Sequence, residues 1–325
     1  MSFLAKDVER SALPIISIAG LRSPDARTRV AVARELRSAC LDKGFFYACD
    51  HGIPAETTAA VLREARRFFA LPIEQKMMVD IAKSFCNRGY EPMGKQVLES
   101  GAPPDLKEGF QIARELPEDD SRVVARVFSH GPNQWPGDLP GWRETLEAYQ
   151  RTMSELAALM MRGMALSLDL PEDAFAGFCD EPIAMLRLLH YPPQPANPQP
   201  DEKGCGAHTD WGAITFLLQD DAGGLQVWDN NENVWIHAAP IPGTFVVNLG
   251  DMMARWTNDR YHSTRHRVVN MSGRDRISIP FFYDGRADFV VSCVPSCLNE
   301  NETPKYDATT PAAHLAEMYR LTYLR

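Results

Sequence analysis

At 325 residues, with 45% apolar and 24% charged side chains, the chain has the composition of a globular protein with a substantial core. Lys and Arg total 34 against 43 Asp and Glu, a formal charge of −9. Such a surface repels phosphate backbones and no basic run offsets it, which argues against nucleic-acid binding.

No stretch approaches the roughly 20 apolar residues needed to span a bilayer. The start, MSFLAKDVERSALPIISIAG, carries charges where a secretory signal needs an apolar core. Seven cysteines, at 40, 49, 86, 179, 205, 293 and 297, are odd in number and scattered. That pattern predicts reduced thiols in a cytoplasmic protein. Cys293 and Cys297 form the only close pair, and no second pair completes a structural zinc site.

In chain order, LPIISI (13–18) predicts a short strand, and residues 25–42 a helix. GFFYACDHGIP reads as a strand ending in a Gly-Pro turn. A second helix from Pro54 carries Val61, Leu62, Ala65, Phe68 and Phe69 inward. Residues 72–110, rich in Gly, Pro and charge, predict an irregular segment that edges a pocket. The longest helix is expected over 141–168, where Leu146, Tyr149, Met153, Leu156, Met160 and Met164 form one apolar face. That methionine stripe reads as core filling. From about 184, short segments follow one another: MLRLLHY, GAHTD, AITFLLQ, LQVW, VWIHA, TFVVNL, HRVVN and RISIPFFY. Their spacing predicts a sandwich or barrel of antiparallel strands. PAAHLAEMYRLTYL predicts a C-terminal helix that packs on the barrel or covers its mouth.

Of eight histidines, only His208 is followed two residues later by a carboxylate, Asp210. In a strand, a spacing of two puts both side chains on one face. An imidazole and a carboxylate there are two-thirds of a two-His, one-carboxylate metal triad. His266, opening HRVVN, is the best third ligand. His262 is its rival, but Ser263 stands where a helical zinc pair needs Glu. RISIPFF is expected to pair with HRVVN across the Ser272-Gly273 turn. Arg276 and Ser278 again share a face, a guanidinium and a hydroxyl suited to a carboxylate. Metal and clamp together suit a keto-diacid, with its 2-oxo acid end on the metal and its far carboxylate on Arg276.

These motifs, with FFALPIEQK, YPPQP, GGLQVW and PGTFVVNLGDMMARWTNDRYHSTRHRVVN in the same order, resemble the isopenicillin N synthase-like iron(II)/2-oxoglutarate dioxygenases over nearly the whole chain. The resemblance implies a mainly β core with flanking helices, a double-stranded β-helix (jelly roll). It implies iron(II) on His208, Asp210 and His266, with 2-oxoglutarate and O2 as cosubstrates and ascorbate as a stimulant. Arg276 and Ser278 would hold the 2-oxoglutarate C5 carboxylate, and Tyr191 would contact the cosubstrate. Many plant members carry Asn two residues before that tyrosine, where this chain has Leu189. Phe282, Phe110, Arg88 and Tyr90 fall at positions that face substrate in relatives. His51 falls at a turn histidine, and Asp251 at a turn that it caps. Cys205, three residues before His208, lies near the metal without ligating it.

One integrated unit is expected. Residues 1–135 would form a helix and strand region packed on the barrel, 136–180 the long helix, 181–290 the jelly-roll core and 291–325 a C-terminal helical segment. The reaction implied is oxidation, by default hydroxylation, of a small-molecule metabolite, with release of succinate and CO2. Three other readings share these residues. One is an oxidase independent of 2-oxoglutarate, whose Arg276 and Ser278 hold the substrate's carboxylate. The others are a zinc hydrolase and a non-catalytic jelly-roll protein. Neither substrate nor oligomeric state is written in the sequence.

Overall fold

The computed structural model describes residues 13–322. Residues 1–12, with most of the charge-interrupted N-terminal stretch, and residues 323–325 of the expected C-terminal helix lie outside the described residues. Twelve strands are described: β1 (Ile15–Ser17), β2 (Phe45–Cys49), β3 (Gly89–Glu91), β4 (Glu108–Ile112), β5 (Ile183–Tyr191) and β6 (Cys205–His208) come first. β7 (Ile214–Gln219), β8 (Leu225–Asp229), β9 (Val234–His237), β10 (Phe245–Leu249), β11 (His266–Val268) and β12 (Arg276–Gly285) follow. They form an eight-stranded sheet, β1-β2-β10-β7-β12-β5-β4-β3, and a four-stranded sheet, β6-β11-β8-β9. Every pairing is antiparallel except β1 with β2. This is a jelly roll with flanking helices.

Strand periodicity explains how one sheet serves two cores. On the outer face, Phe46, Leu186, Leu188, Phe216, Val247, Ile279 and Phe281 join Phe68, Trp142, Leu146 and Met153 from the helices. Inner-face neighbours Phe45, Tyr47, Leu189 and Tyr191 meet Cys205, Leu225, Val227 and Val268 of the smaller sheet. Alternate residues of the same strands therefore point to opposite layers. Because both faces are covered, β5 reads as a nearly unbroken apolar run.

The helix Trp142–Ser167 buries the whole predicted methionine face, from Leu146 to Met164. It is core, as the spacing predicts. Asp25 caps the helix Ala26–Asp42 by accepting from Arg27 N.

Two expectations are corrected. β11 and β12 do not pair: β11 lies between β6 and β8, while β12 lies between β5 and β7. The Ser272-Gly273 turn carries the chain from one sheet to the other, as Greek-key connections require. The segment 72–110 is not irregular throughout, since it contains β3 and the start of β4 on the edge of the larger sheet. No helix among the described residues is long and apolar enough to cross a membrane.

Candidate metal and cosubstrate site

His208, Asp210 and His266 converge between the two sheets. One ligand atom from each lies within 4.8 Å of the others. His208 closes β6 and His266 opens β11, and these two residues are directly opposite in the antiparallel register. Their ring centroids are 4.3 Å apart. Asp210 lies in the turn just after β6, so the turn, not a strand pleat, brings its carboxylate to the imidazoles.

Each imidazole is oriented from behind. His208 Nδ1 is 2.8 Å from Gly206 O, and His266 Nδ1 is 3.2 Å from Thr264 O. Nδ1–H donated to a carbonyl leaves each Nε2 as a lone-pair donor. Those Nε2 atoms stand 3.8 and 3.7 Å from Asp210 Oδ1. Burial, helped by His208, pushes the His266 pKa down to about 4, so its ring is neutral at physiological pH. Burial alone would raise the Asp210 pKa, but the two imidazoles, Asn248 and Thr215 hold it below the usual value. Two imidazoles and one carboxylate are a donor set that suits a divalent iron.

A cavity runs from this triad to Arg276 and Ser278. Arg276 is fully buried. It donates from Nε to Gly223 O (2.6 Å), from one terminal nitrogen to Ser278 Oγ (2.9 Å) and from the other to Gln219 Oε1 (3.0 Å). A guanidinium has five N–H groups, so one on each terminal nitrogen remains for a carboxylate. Tyr191 lies against it, with the guanidinium carbon 4.8 Å from the ring centroid. Leu189 and Lys107 also line this chamber. The Lys107 ammonium is held by Asp105, whose Oδ1 accepts from Gly206 N at 2.8 Å and so ties it to the His208 strand.

Beside this chamber, and sharing His208 and Asp210 with it, lies a second cavity. Leu98, Phe128, Met185, Trp211, Phe282 and Leu315 give it an apolar wall, and Gln96, Arg187, Asp284 and Tyr319 are its polar side chains apart from the triad and Thr209. Leu315 and Tyr319 come from the C-terminal helix Pro311–Thr322, which therefore covers the barrel mouth. Gln96, Leu98, Arg187, His208, Asp210 and Phe282 line both cavities.

Comparison with known proteins agrees with this geometry. Residues 13–138 match the family described as non-haem dioxygenase in morphine synthesis N-terminal, and residues 182–285 match the 2OG-Fe(II) oxygenase superfamily. The chain is 42% identical to the 2-oxoglutarate-Fe(II) type oxidoreductase hxnY of Emericella nidulans, over 97% of this chain and 91% of that one. This chain belongs to the iron(II)/2-oxoglutarate oxygenases. The 2-oxoglutarate-dependent dioxygenase citB of Monascus ruber is 38% identical, over 96% of this chain and 95% of its own length. Among solved structures, a full-length Neurospora crassa protein in complex with alpha-KG and thymine superposes with a TM-score of 0.84. Its identity is 29%, covering 97% of this chain and 98% of that one.

Not every residue singled out in the sequence reaches the oxygenase cavities. Phe282 does. Phe110 instead packs on Phe68 and Trp142, with ring centroids 4.8 and 4.9 Å away. Tyr90 is its cross-strand partner and donates to Glu108 Oε2 at 2.6 Å. Both face the helix layer, because Phe110 pairs with Leu188, an outer-face residue. Arg88 is fully buried and binds Cys86 O, Ser129 Oγ and Ser129 O, which fixes the loop around 129. These three placements correct the expectation that they line the substrate pocket.

His51 accepts from Ile53 N in its turn, and the His262 backbone N–H donates to Cys40 O, outside the triad. Asp251 opens the short helix Asp251–Trp256 and accepts from Ser263 Oγ. Cys205 Sγ is 3.8 Å from His208 Nδ1, behind the ring. Residues that the sequence did not reveal are Thr215, Asn248 and Gln219, which orient the triad and the clamp, and the polar set Gln96, Arg187 and Asp284. Only the acid closing RISIPFFYD, in an otherwise apolar strand, gave a signal that was there to be read.

Proposed function

We propose that this oxygenase hydroxylates a small-molecule metabolite in the cytoplasm, taking iron(II) on His208, Asp210 and His266 and 2-oxoglutarate in the chamber that ends at Arg276. The balanced reaction is substrate C–H plus O2 and 2-oxoglutarate to substrate C–OH, succinate and CO2. The observation that carries this reading is the pair of cavities meeting at the triad, one closed by a guanidinium fork and the other walled mainly by apolar side chains.

Bound iron and 2-oxoglutarate supply the oxidising chemistry, and the protein supplies position and dryness. Arg276 and Ser278 hold the far carboxylate, with the Tyr191 ring fixing the guanidinium plane. Thr215 and Asn248 hold the Asp210 carboxylate, and Gly206 and Thr264 hold the imidazoles. Leu189, Leu217, Leu225 and Val268 keep water from the chamber between them. The Neurospora crassa structure contains alpha-KG together with thymine, which supports a site for cosubstrate beside one for a small substrate. Seven free cysteines support a reducing compartment.

The test is aerobic succinate formation by purified protein with iron(II), ascorbate and 2-oxoglutarate, in wild type, His208→Ala and Arg276→Ala. Iron-dependent succinate that is lost in both variants supports the reading. No succinate from an iron-loaded protein would reassign Arg276 to the substrate's own carboxylate.

A further inference from the structure

Two buried side chains in the wall of the second cavity carry acceptor oxygens that meet no donor among the described residues. Gln96 is 2% exposed, and its Oε1 accepts no hydrogen bond among the described residues. Asp284 is 4% exposed, and its carboxyl makes no hydrogen bond or ion pair among the described residues. Buried polar groups without partners are rare in folded proteins, and a pair of them facing one cavity marks the place of a ligand's own polar groups.

Local structure aims the acid. Phe282 stands opposite Met185 in the β12–β5 register, and the register shifts between Tyr283 and Gly285. Bulges of this kind re-aim a side chain, and here the result is Asp284 in the cavity wall. Gly212 on the facing turn leaves the space, since a Cβ there would overlap the Asp284 carboxyl. Arg187 lies in the same wall, two residues along β5 from Met185, and is ion-paired with Glu91 at 3.1 Å.

Both unmet groups offer acceptor oxygens. Among the described residues of this wall, Arg187 is the Lys or Arg cation, and it already faces a buried carboxylate. An incoming carboxylate would meet the Asp284 carboxyl beside a guanidinium already ion-paired with Glu91. Phe128, Trp211, Phe282 and Tyr319 offer ring faces and edges to a flat body.

Resting on the oxygenase reading above, we propose that the substrate is a small, uncharged ring compound bearing hydroxyl or N–H donors, such as a phenol or cyclic amide, and not a carboxylic acid. Asp284 and Gln96 are the residues that recognise those donors.

The experiment measures binding to the iron(II)- and 2-oxoglutarate-loaded protein under nitrogen, by saturation-transfer NMR and calorimetry. The probes are orcinol, its dimethyl ether and meta-toluate. Orcinol is expected to bind at millimolar concentration, with the ether and the toluate about tenfold weaker, the value of one or two hydrogen bonds. Asp284→Ala should abolish the preference for orcinol while leaving 2-oxoglutarate affinity unchanged, and Gln96→Met should diminish the preference. Asp284→Asn, which keeps an acceptor oxygen, should retain it.

Toluate binding as tightly as orcinol, no orcinol binding, or an undiminished preference in both variants would overturn the proposal. So would a marked fall in the melting temperature of Asp284→Ala, which would assign the carboxyl to the fold. Failure of 2-oxoglutarate to bind the same iron-loaded preparation would overturn the cosubstrate reading, and this inference with it.

Discussion

Asn248 Nδ2 donates a 2.6 Å hydrogen bond to Asp210 Oδ2, the carboxylate oxygen that does not face the imidazoles. Thr215 Oγ1 donates to the same oxygen, also at 2.6 Å. The two oxygens thus divide the work, Oδ1 for the metal and Oδ2 for the scaffold. Asn248 sits on β10 and Thr215 on β7, paired neighbours in the larger sheet, so the carboxylate is anchored to a rigid element.

Loss of these anchors should loosen the metal without removing a ligand. Asn248→Leu and Thr215→Val are each expected to weaken iron(II) binding by roughly 10- to 100-fold. Anaerobic titration with a competing chelator checks this. Unchanged affinity in both variants would mean that Asp210 is held well enough by its turn.

Arg276→Leu removes a fully buried guanidinium and should raise the Kd for 2-oxoglutarate by about 100-fold, the scale of truncating one partner of a buried charge pair. Ser278→Ala removes a single hydrogen bond and should cost only about 1 kcal/mol. Calorimetry on iron-loaded protein separates the two. Equal losses would mean that the hydroxyl, not the fork, carries recognition.

How far the sequence revealed this site depended on whether its residues share one strand. Arg276 and Ser278 do, and the period of two placed them together on the inner face of β12. His208 and Asp210 were paired correctly for an incomplete reason, because β6 stops at His208 and a turn delivers the acid. Asn248, Thr215 and Arg187 come from three different strands, and Gln96 from the connection between β3 and β4. Only the order of strands across the sheets brings them to one cavity, and no local pattern encodes that order. Tyr90 and Phe110 were misplaced because Gly- and Pro-rich neighbours hid the short β3–β4 pairing, which turns both rings outward.

That outward turn gives a prediction of its own. Phe110→Ala should cost about 3–5 kcal/mol of stability, as large-to-small changes at buried aromatic residues do. Its Kd for 2-oxoglutarate should match wild type. Denaturant melts alongside calorimetry distinguish a core role from a pocket role.

Glu108 ties the same edge of the sheet together. Its Oε2 accepts from Lys76 Nζ (2.7 Å) and Tyr90 OH (2.6 Å), and Oε1 lies 2.8 Å from His190 Nδ1. Burial opposes ionisation, but these three partners outweigh it and lower the Glu108 pKa from 4.5 to about 2. A depressed carboxyl stabilises the fold above its unfolded pKa, and that contribution is lost as pH falls through the folded value. Glu108→Gln should therefore lose about 2–3 kcal/mol at neutral pH. Its deficit should shrink between about pH 4.5 and 2. Denaturant midpoints across that window provide the check, and a pH-independent deficit would contradict the assignment.

Whether the triad and the guanidinium form one cosubstrate chamber is decided by an anaerobic calorimetric titration of 2-oxoglutarate into wild type, His208→Ala and Arg276→Leu, with and without iron(II). Tight binding to iron-loaded wild type is expected, with a large loss without iron or without His208, and a comparable loss without Arg276. Binding that ignores both iron and Arg276 would contradict the assignment, because the cosubstrate would then lie outside the chamber between the triad and the guanidinium.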